Sequence, residues 1–148
     1  MNYFGRKAAL VMVLLGVVAI ALGGFFVQLG FDKANYLTEK MLEQNITYTA
    51  AGGTIVGVID NPQEAQEMAD VLQEHSAAIG NYSQLKRDDP ARQQILNALT
   101  MTNSLEMAVM GFGLTDVVKA SGAFMVLVGL GFLLIAVPAI RRRKTDSQ

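Results

Sequence analysis

One uncharged stretch near the C-terminus constrains this chain more than any other feature. Residues 120–140 contain no Asp, Glu, Lys or Arg, and Arg141, Arg142, Arg143 and Lys144 follow directly. At about 1.5 Å of helical rise per residue, this stretch spans roughly 31 Å, close to the hydrocarbon thickness of a bilayer. It therefore predicts a transmembrane helix that ends at a basic stop.

A second uncharged stretch, residues 8–31, follows a short basic tail at residues 1–7. A cleaved signal peptide has an apolar core of about 7–15 residues and a cleavage site of small residues. The run here is longer, and Gly23-Gly24-Phe25-Phe26 makes a poor cleavage site. We therefore expect an uncleaved first transmembrane helix, which forms a hairpin with the second.

Charge is distributed unevenly along the chain. Residues 32–119 carry 12 acidic and six basic side chains, whereas the two tails, 1–7 and 141–148, carry six basic and one acidic. Lys and Arg beside membrane spans are retained in the cytoplasm. This predicts a multi-pass protein of the cytoplasmic cell membrane with both termini cytoplasmic. The acidic middle segment excludes nucleic acid as a partner, because phosphate binding requires a basic patch.

The middle segment contains several helix signals. Residues 32–45 lack Gly and Pro, so the first helix is expected to continue past the membrane. Asn61, Pro62 and Glu64 predict a helix start by capping, with an end near Gly80. Asp89-Pro90 predicts another start, and a helix from about residue 91 into the last span is the simplest interpretation. The predicted apolar faces are Ala65, Met68, Ala69, Leu72 and Ile79 on the first of these helices, and Ile95, Leu96, Leu99, Leu105, Ala108 and Val109 on the second.

Residues 47–58 differ from the rest, because β-branched residues flank Gly52-Gly53. Such a pattern is typical of a short β-hairpin or of an extended loop. The predicted fold is an all-α membrane protein: two transmembrane helices in a hairpin, an extracytoplasmic helical bundle at residues 32–119, and this short insertion.

Several short motifs together resemble a known family. They are Gln44-Asn45-Ile46-Thr47, residues 65–75 (AQEMADVLQEH), Tyr82-Ser83-Gln84-Leu85, Asp88-Asp89-Pro90-Ala91-Arg92, Ala98, Ser104-Leu105 and Phe112-Gly113-Leu114. In these the chain resembles a family of uncharacterised small bacterial two-span membrane proteins. Some members are labelled as aromatic ring-opening dioxygenases.

The chemistry of such a dioxygenase requires a metal held by two or more His and carboxylate ligands. The sequence has a single histidine, His75, no cysteine, and no His-x-x-His or His-x-Glu pair. His75 is expected to be an ordinary residue near a helix C-terminus rather than a ligand or a pH sensor. We therefore expect no enzyme activity, and we assign no catalytic, cofactor-binding or metal-binding residue.

Other candidate groups also have simpler structural roles. Carboxylates pair at Glu64/Glu67, Glu67/Asp70, Asp70/Glu74 and Asp88/Asp89, which favours a solvated acidic helix face, with weak Ca²⁺ or Mg²⁺ binding as the alternative. No serine lies in a Gly-x-Ser-x-Gly elbow, and the glycine pairs Gly52-Gly53 and Gly111/Gly113 lack the Lys-Ser/Thr ending of a phosphate loop.

Glycines at a spacing of seven occur in both predicted spans, at Gly16 and Gly23 and at Gly122 and Gly129. Small residues on one face allow membrane helices to approach closely. The two spans are expected to use them against each other, or alternatively for assembly with a protein partner or with a second copy. Neither span contains a charge of the kind that an ion pathway requires.

Two functions remain open at this point. The first is a non-enzymatic accessory or structural subunit that acts by protein–protein contacts at the outer face of the membrane. The second is an extracytoplasmic sensor or ligand-binding module working with a partner, which requires a pocket between helices near Tyr48, Tyr82 and Met68.

Overall fold

Two long helices run through most of the chain. The computed structural model describes the backbone of residues 2–49 and 55–145, and the side chains of residues 7–47 and 57–136. In that part of the chain the order is α1 (Asn2–Gln44), β1 (Thr47–Thr49), β2 (Ile55–Val58), α2 (Pro62–Ile79) and α3 (Pro90–Thr145). The predicted extension of the first helix past residue 31 is confirmed. The last helix is unbroken through Gly111 and Gly113.

The chain divides into two compact units, and α1 and α3 contribute to both. We call Met1–Asp32 with Thr115–Gln148 the two-helix unit, and Lys33–Leu114 the three-helix unit. Within the described residues two helices are long and apolar enough to cross a membrane, and only 11% of the most apolar stretch of each is buried within the chain. Their outward faces carry exposed Leu, Val and Phe side chains.

Small residues form the contact between α1 and α3 in the two-helix unit. A methyl group on Gly23 would lie 2.5 Å from the carbonyl oxygen of Gly122, and one on Gly129 would lie 2.6 Å from that of Gly16. A methyl group on Gly30 would lie 3.1 Å from the carbonyl oxygen of Thr115, which is a tight contact. Real Cβ atoms do not approach oxygen as closely as 2.5 or 2.6 Å, so at the two glycine pairs the backbones are nearer than any larger residue would allow.

This contact repeats every seven residues on both helices. Ala9 and Ala136, one further repeat along each helix, are 6% and 1% exposed. A seven-residue repeat keeps one face of an α-helix against its neighbour over several turns. The structure thus has the predicted intrachain contact, and the pairs are Gly16 with Gly129 and Gly23 with Gly122.

Lys119 lies beside this contact, at the polar end of the last uncharged stretch. Its alkyl chain runs over Gly30, and its Nζ is 2.6 Å from Asp116 Oδ1. The ammonium also lies 5.1 Å from the centroid of the Phe31 ring. This arrangement keeps the apolar stem against the helices and the charge toward the polar end, as lysines near membrane boundaries do.

The three-helix unit has an apolar core to which each of its elements contributes directly or through an adjoining residue, which is Ile46 for β1 and Ile59 for β2. Ile59, between β2 and α2, is only 1% exposed. The core consists of Met41, Ile59, Ala65, Ala69, Leu105 and Phe112. Because burial of apolar surface is the main stabilising term in folding, this cluster is what fixes α2 against the two long helices.

Residues 47–49 and 55–58 form the β-hairpin that was one of the two predicted alternatives for the insertion. The strands are antiparallel, with Thr47 opposite Val58 and Tyr48 opposite Gly57. Ile59 N–H donates to the carbonyl oxygen of Ile46 over 2.9 Å, which extends the pairing toward the core. The predicted turn at Gly52-Gly53 lies outside the described residues.

The start of α2 follows its sequence signals closely. Asn61 has an extended backbone, and its side chain accepts a hydrogen bond of 2.9 Å from Glu64 N–H. Pro62 occupies the first turn, where its missing N–H costs nothing. Glu64 Oε2 accepts a 3.4 Å hydrogen bond from Asp60 N–H. The predicted helix start and its end at Gly80 are confirmed.

Two details of the predicted apolar faces are wrong. Ile79 is 38% exposed, and the buried position near the end of α2 belongs to Ser76, whose hydroxyl donates to the Gln73 carbonyl oxygen and so is satisfied internally. Leu96 and Leu99 are 40% and 42% exposed. The buried positions of α3 in this unit are instead Ile95, Thr102, Leu105 and Phe112, at spacings of seven, three and seven residues.

Candidate functional site

A groove on the three-helix unit is the best-formed concave feature of the described residues. It has a volume of about 220 Å³. Apolar side chains from α1, from α3 and from the base of the β-hairpin form most of its wall. The lining residues are Leu37, Lys40, Met41, Gln44, Ile46, Ile59, Ser104, Leu105, Met107 and Ala108.

The hairpin positions one wall of this groove. The hydrogen bond between Ile59 N–H and the Ile46 carbonyl holds these two residues side by side. Asn45, between α1 and β1, has a φ of 50°. Asn tolerates this left-handed conformation better than most residues, and it turns the chain from the end of α1 into the hairpin. Local backbone geometry thus brings Ile46 against the core.

Polar groups lie on the α1 rim of the groove. Lys40 Nζ is 2.6 Å from Glu43 Oε2. This hydrogen bond, and the charge of Glu43, raise the pKa of Lys40 above its ordinary value of 10.5. Lys40 also lies 5.7 Å from the centroid of the Tyr36 ring. The groove therefore presents an apolar floor and a lysine that stays charged throughout the physiological pH range.

A second, more open depression of about 440 Å³ lies between α2, the 80–89 loop and α3. Arg92 fixes that loop. Its guanidinium donates to the carbonyl oxygens of Leu85 and Tyr82 over 2.9 and 3.4 Å, and it stacks 3.9 Å from the Tyr82 ring centroid. Asp89 caps α3 by accepting from Ala91 N–H over 2.9 Å. All these groups make contacts that stabilise the 80–89 loop itself.

The structure describes the side chains of two of the three residues named for the predicted pocket near Tyr48, Tyr82 and Met68. Tyr82 lines the second depression, whereas Met68 packs against the core. The side chain of Tyr48 lies outside the described residues. The groove and the second depression are lined in part by residues of the predicted apolar face of α3, among them Leu105, Ala108 and Ile95.

His75 is exposed on α2. Among the residues that the structure describes, no three or more His, Asp and Glu side chains come together in a way that could hold a metal ion. That finding bears on the described part of the chain, and the absence of a metal ligand set stays a prediction for the whole.

The acidic side chains of α2 are engaged locally or exposed. Glu64 belongs to the helix cap, and Asp70 Oδ1 accepts a 2.9 Å hydrogen bond from Gln66 Nε2. Glu67 and Glu74 are exposed on the same helix. The carboxylates thus line a solvent-facing stripe of one helix and converge on no cavity.

The serines of the three-helix unit have structural partners. Ser83 donates to the Asn81 side chain over 2.8 Å, and Ser104 donates to the Thr100 carbonyl over 2.9 Å. Ser121, in the two-helix unit, is exposed. None of these contacts is the hydrogen bond to an activating base that a nucleophilic serine requires.

Ile59 and Met107 are two groove residues to which no sequence pattern assigned a role. Ile59 follows a β-branched run and precedes the Asp60-Asn61-Pro62 helix start, which is a position where apolar residues often anchor a helix entry. This position before a helix start is a local signal that identifies Ile59 as an anchor from the sequence. Met107 is one of many apolar residues on α3, and only the three-dimensional arrangement distinguishes it.

Comparison of the chain with protein-family models, with curated proteins and with solved structures gave no match. The resemblance to two-span bacterial membrane proteins therefore stays a prediction based on the motifs. Any function must be argued from the molecule itself.

Proposed function

We propose that this chain is a non-enzymatic integral protein of the cytoplasmic membrane that acts as an accessory or structural subunit through protein–protein contacts of the three-helix unit. Residues 8–31 and 120–140 are the spans, and the tails 1–7 and 141–148 are cytoplasmic. Residues 32–119 then form a helical bundle on the outer face, as the charge distribution favours.

The observation that carries this proposal is the groove beside Leu105. Small-molecule sites are usually about 300–1,000 Å³ in volume, and the groove is about 220 Å³. It is large enough for one bulky side chain of a partner and small for a typical ligand. A pocket of this kind, filled by a partner's apolar anchor, is a common centre of a protein interface.

The rim of the groove supports the same proposal. Lys40, Gln44 and Ser104 surround an apolar floor. Interfaces usually combine an apolar centre with a polar rim, because rim groups can keep some water contact while the centre is desolvated. Lys40 and Gln44 supply hydrogen-bond donors that a partner backbone or carboxylate can use.

The alternative of a sensor or ligand-binding module has less support. It would use the second depression, which is larger but open, and its groups Asn81 and Tyr82 already hold the 80–89 loop. A ligand there would compete with contacts that the protein makes with itself.

Purification from the native membrane in mild detergent, followed by crosslinking and mass spectrometry, tests the proposal. We expect a heterologous protein in a stoichiometric amount, with crosslinks to residues around the groove. Recovery of the chain without any other protein would overturn the accessory-subunit proposal and favour the binding module.

A matched pair of variants tests whether the groove is the contact. Ser104 lines the groove and is exposed, so Ser104→Trp fills the groove without removing a core side chain. Asn97→Trp places the same bulk at an exposed position two turns earlier on α3. We expect loss of the partner with Ser104→Trp and retention with Asn97→Trp. Equal recovery with both variants would exclude the groove.

A further inference from the structure

Three large apolar side chains on one face of α3 are left uncovered by the described part of the chain. Met107 is 72% exposed, Met110 is 74% exposed and Leu114 is 66% exposed. We call these three residues the α3 patch. Leu105 and Phe112, on the opposite side of the same helix, are buried in the core. The patch is thus a second apolar face of a helix that already has one.

The members of the α3 patch have the spacing of a contact between two helices. Its members are three and four residues apart, and Val117, 62% exposed, continues the same spacing. An exposed apolar seam that repeats at an average of about 3.5 residues is the pattern by which two helices pack along each other. No charged residue occupies a seam position.

Lipid cannot account for all of this patch. In the two-helix unit Gly30 lies against Thr115, and the charged residues Asp32 and Lys33 follow Gly30 closely. Met107 precedes Thr115 on α3 by eight residues, which is roughly 12 Å of helix at about 1.5 Å per residue. If the spans lie where we propose, Met107 and Met110 are beyond the hydrocarbon and require another cover.

A second copy of this chain fits the patch for a geometric reason. Two copies inserted in the same direction present each α3 position at the same depth, so an apolar patch of one meets the identical patch of the other in a parallel pair. Gly113 lies beside the patch, and a methyl group there would meet nothing within 4 Å among the described residues. This leaves open space for the backbone of a neighbouring helix.

Charge does not oppose such a pair. In a parallel pairing with Met107 and Met110 on the seam, the flanking Glu106 of one copy lies diagonally opposite Gly111 of the other. Like charges therefore do not meet. A basic partner helix is not required to neutralise the face.

We propose that the α3 patch is the interface of a parallel homodimer, in which Met107, Met110 and Leu114 of two copies pack against each other. The proposal rests on the membrane insertion in the proposed function. Met107 also lines the groove, whereas Met110 and Leu114 belong to the α3 patch alone, so these two positions separate the homodimer from a heterologous partner in the groove.

The absence of cysteine from the sequence makes a direct test practical. Single cysteines replace Met107, Met110 or Leu114 in the full-length chain, and the control is Asn35→Cys. Asn35 is exposed on α1 near the same level, since the neighbouring Leu37 contacts Gly111. Carbonate-washed native membranes are oxidised with copper phenanthroline and separated without reductant.

We expect disulfide-linked homodimers at the three patch positions, at least tenfold more than at Asn35→Cys. An adduct with another protein at Met110→Cys or Leu114→Cys, which lie outside the groove, would overturn the homodimer and assign the patch to a heterologous partner. Equal crosslinking at Asn35→Cys, or none at patch cysteines that still react with maleimide, would also overturn it. Loss of the chain from the carbonate-washed membranes would instead refute the membrane insertion itself.

A second measurement avoids cysteine. Two differently tagged copies are expressed together, and one is captured in mild detergent. We expect co-capture of the other copy, and at least a tenfold reduction with Met110→Glu, because a carboxylate on the seam would be buried beside its equivalent. Co-capture unchanged by Met110→Glu would contradict the patch as the interface.

Discussion

Ile59 takes part in several contacts of the three-helix unit. It is 1% exposed, it contributes to the core, and its N–H pairs with Ile46. Its side chain therefore connects the β-hairpin, the start of α2 and the groove. No other residue of the described part of the chain combines these contacts.

Replacement of Ile59 by alanine should lower the free energy of unfolding of the three-helix unit by about 2–5 kcal/mol, because it removes buried methylene groups and leaves a cavity. The control is Ile79→Ala, since Ile79 is exposed on α2; its effect should be below about 1 kcal/mol. A urea titration in detergent, followed by limited proteolysis of residues 33–114, measures both. Equal effects would contradict the assigned role of Ile59.

Arg92 fixes the 80–89 loop by a combination that lysine cannot reproduce. A guanidinium can donate to two carbonyls and stack on a ring at the same time, whereas an ammonium is a single point of charge. Arg92→Lys should therefore loosen the loop and increase tryptic cleavage at Lys86 and Arg87 severalfold. Gln93→Ala is the control, because Gln93 bonds only to the exposed Asn97 side chain among the contacts described. Unchanged cleavage in Arg92→Lys would show that the loop is fixed by other contacts.

At the scale of the elements, the glycines of α1 offer a test with adjacent positions. A methyl group on Gly23 would meet the Gly122 carbonyl and Val126, whereas one on Gly24 would meet nothing within 4 Å. Gly23→Ala should destabilise the contact between the two helices by about 1–3 kcal/mol, as overpacking does. Gly24→Ala should be neutral, within about 0.5 kcal/mol.

Thermal unfolding in detergent, followed by circular dichroism, compares the two variants. The expected result is a lower Tm for Gly23→Ala only. If both variants have the Tm of the wild-type protein, the close approach at Gly23 does not contribute to stability. Gly122→Ala should repeat the effect of Gly23→Ala, since the two residues face each other.

The sequence predicts helix starts better than it predicts contacts. Asn61-Pro62 and Asp89-Pro90 act through hydrogen bonds with residues one turn away, so their effect can be read locally. The apolar period of α2 predicts that Ile79 is buried. Burial also depends on which side chains the neighbouring helices contact, and near the end of α2 the buried residue is Ser76. The groove is unpredictable for the same reason, since it is formed by three separate segments.

The glycines of the spans illustrate the same limit. Their spacing predicts a close helix contact, and this is correct for the pairs within the chain. The sequence does not reveal that Gly30 and Thr115 continue the contact, because threonine is larger than the glycines that mark the rest of it. Association with another chain through these glycines stays a prediction, and it would require the intrachain contact to open.

At the scale of the whole molecule, the orientation in the membrane follows from charge and is open to test. A single cysteine at Gln73, an exposed residue of α2, should react with an impermeant maleimide in intact cells. A single cysteine at Ser147 should react only after the cells are permeabilised, because the proposed topology places the basic tails in the cytoplasm. The opposite labelling pattern would invert the proposed topology.

The seven-residue contact between α1 and α3 also limits how this chain can change in length. A bilayer tolerates a span that is one residue longer or shorter, but each inserted residue rotates the rest of a helix by about 100°. One extra residue between Gly16 and Gly23 would turn one set of small residues away from α3. Substitutions on the outward faces should therefore be tolerated far more often than single insertions or deletions, and an apolar helix of equal hydrophobicity but a different order of residues should not replace α1.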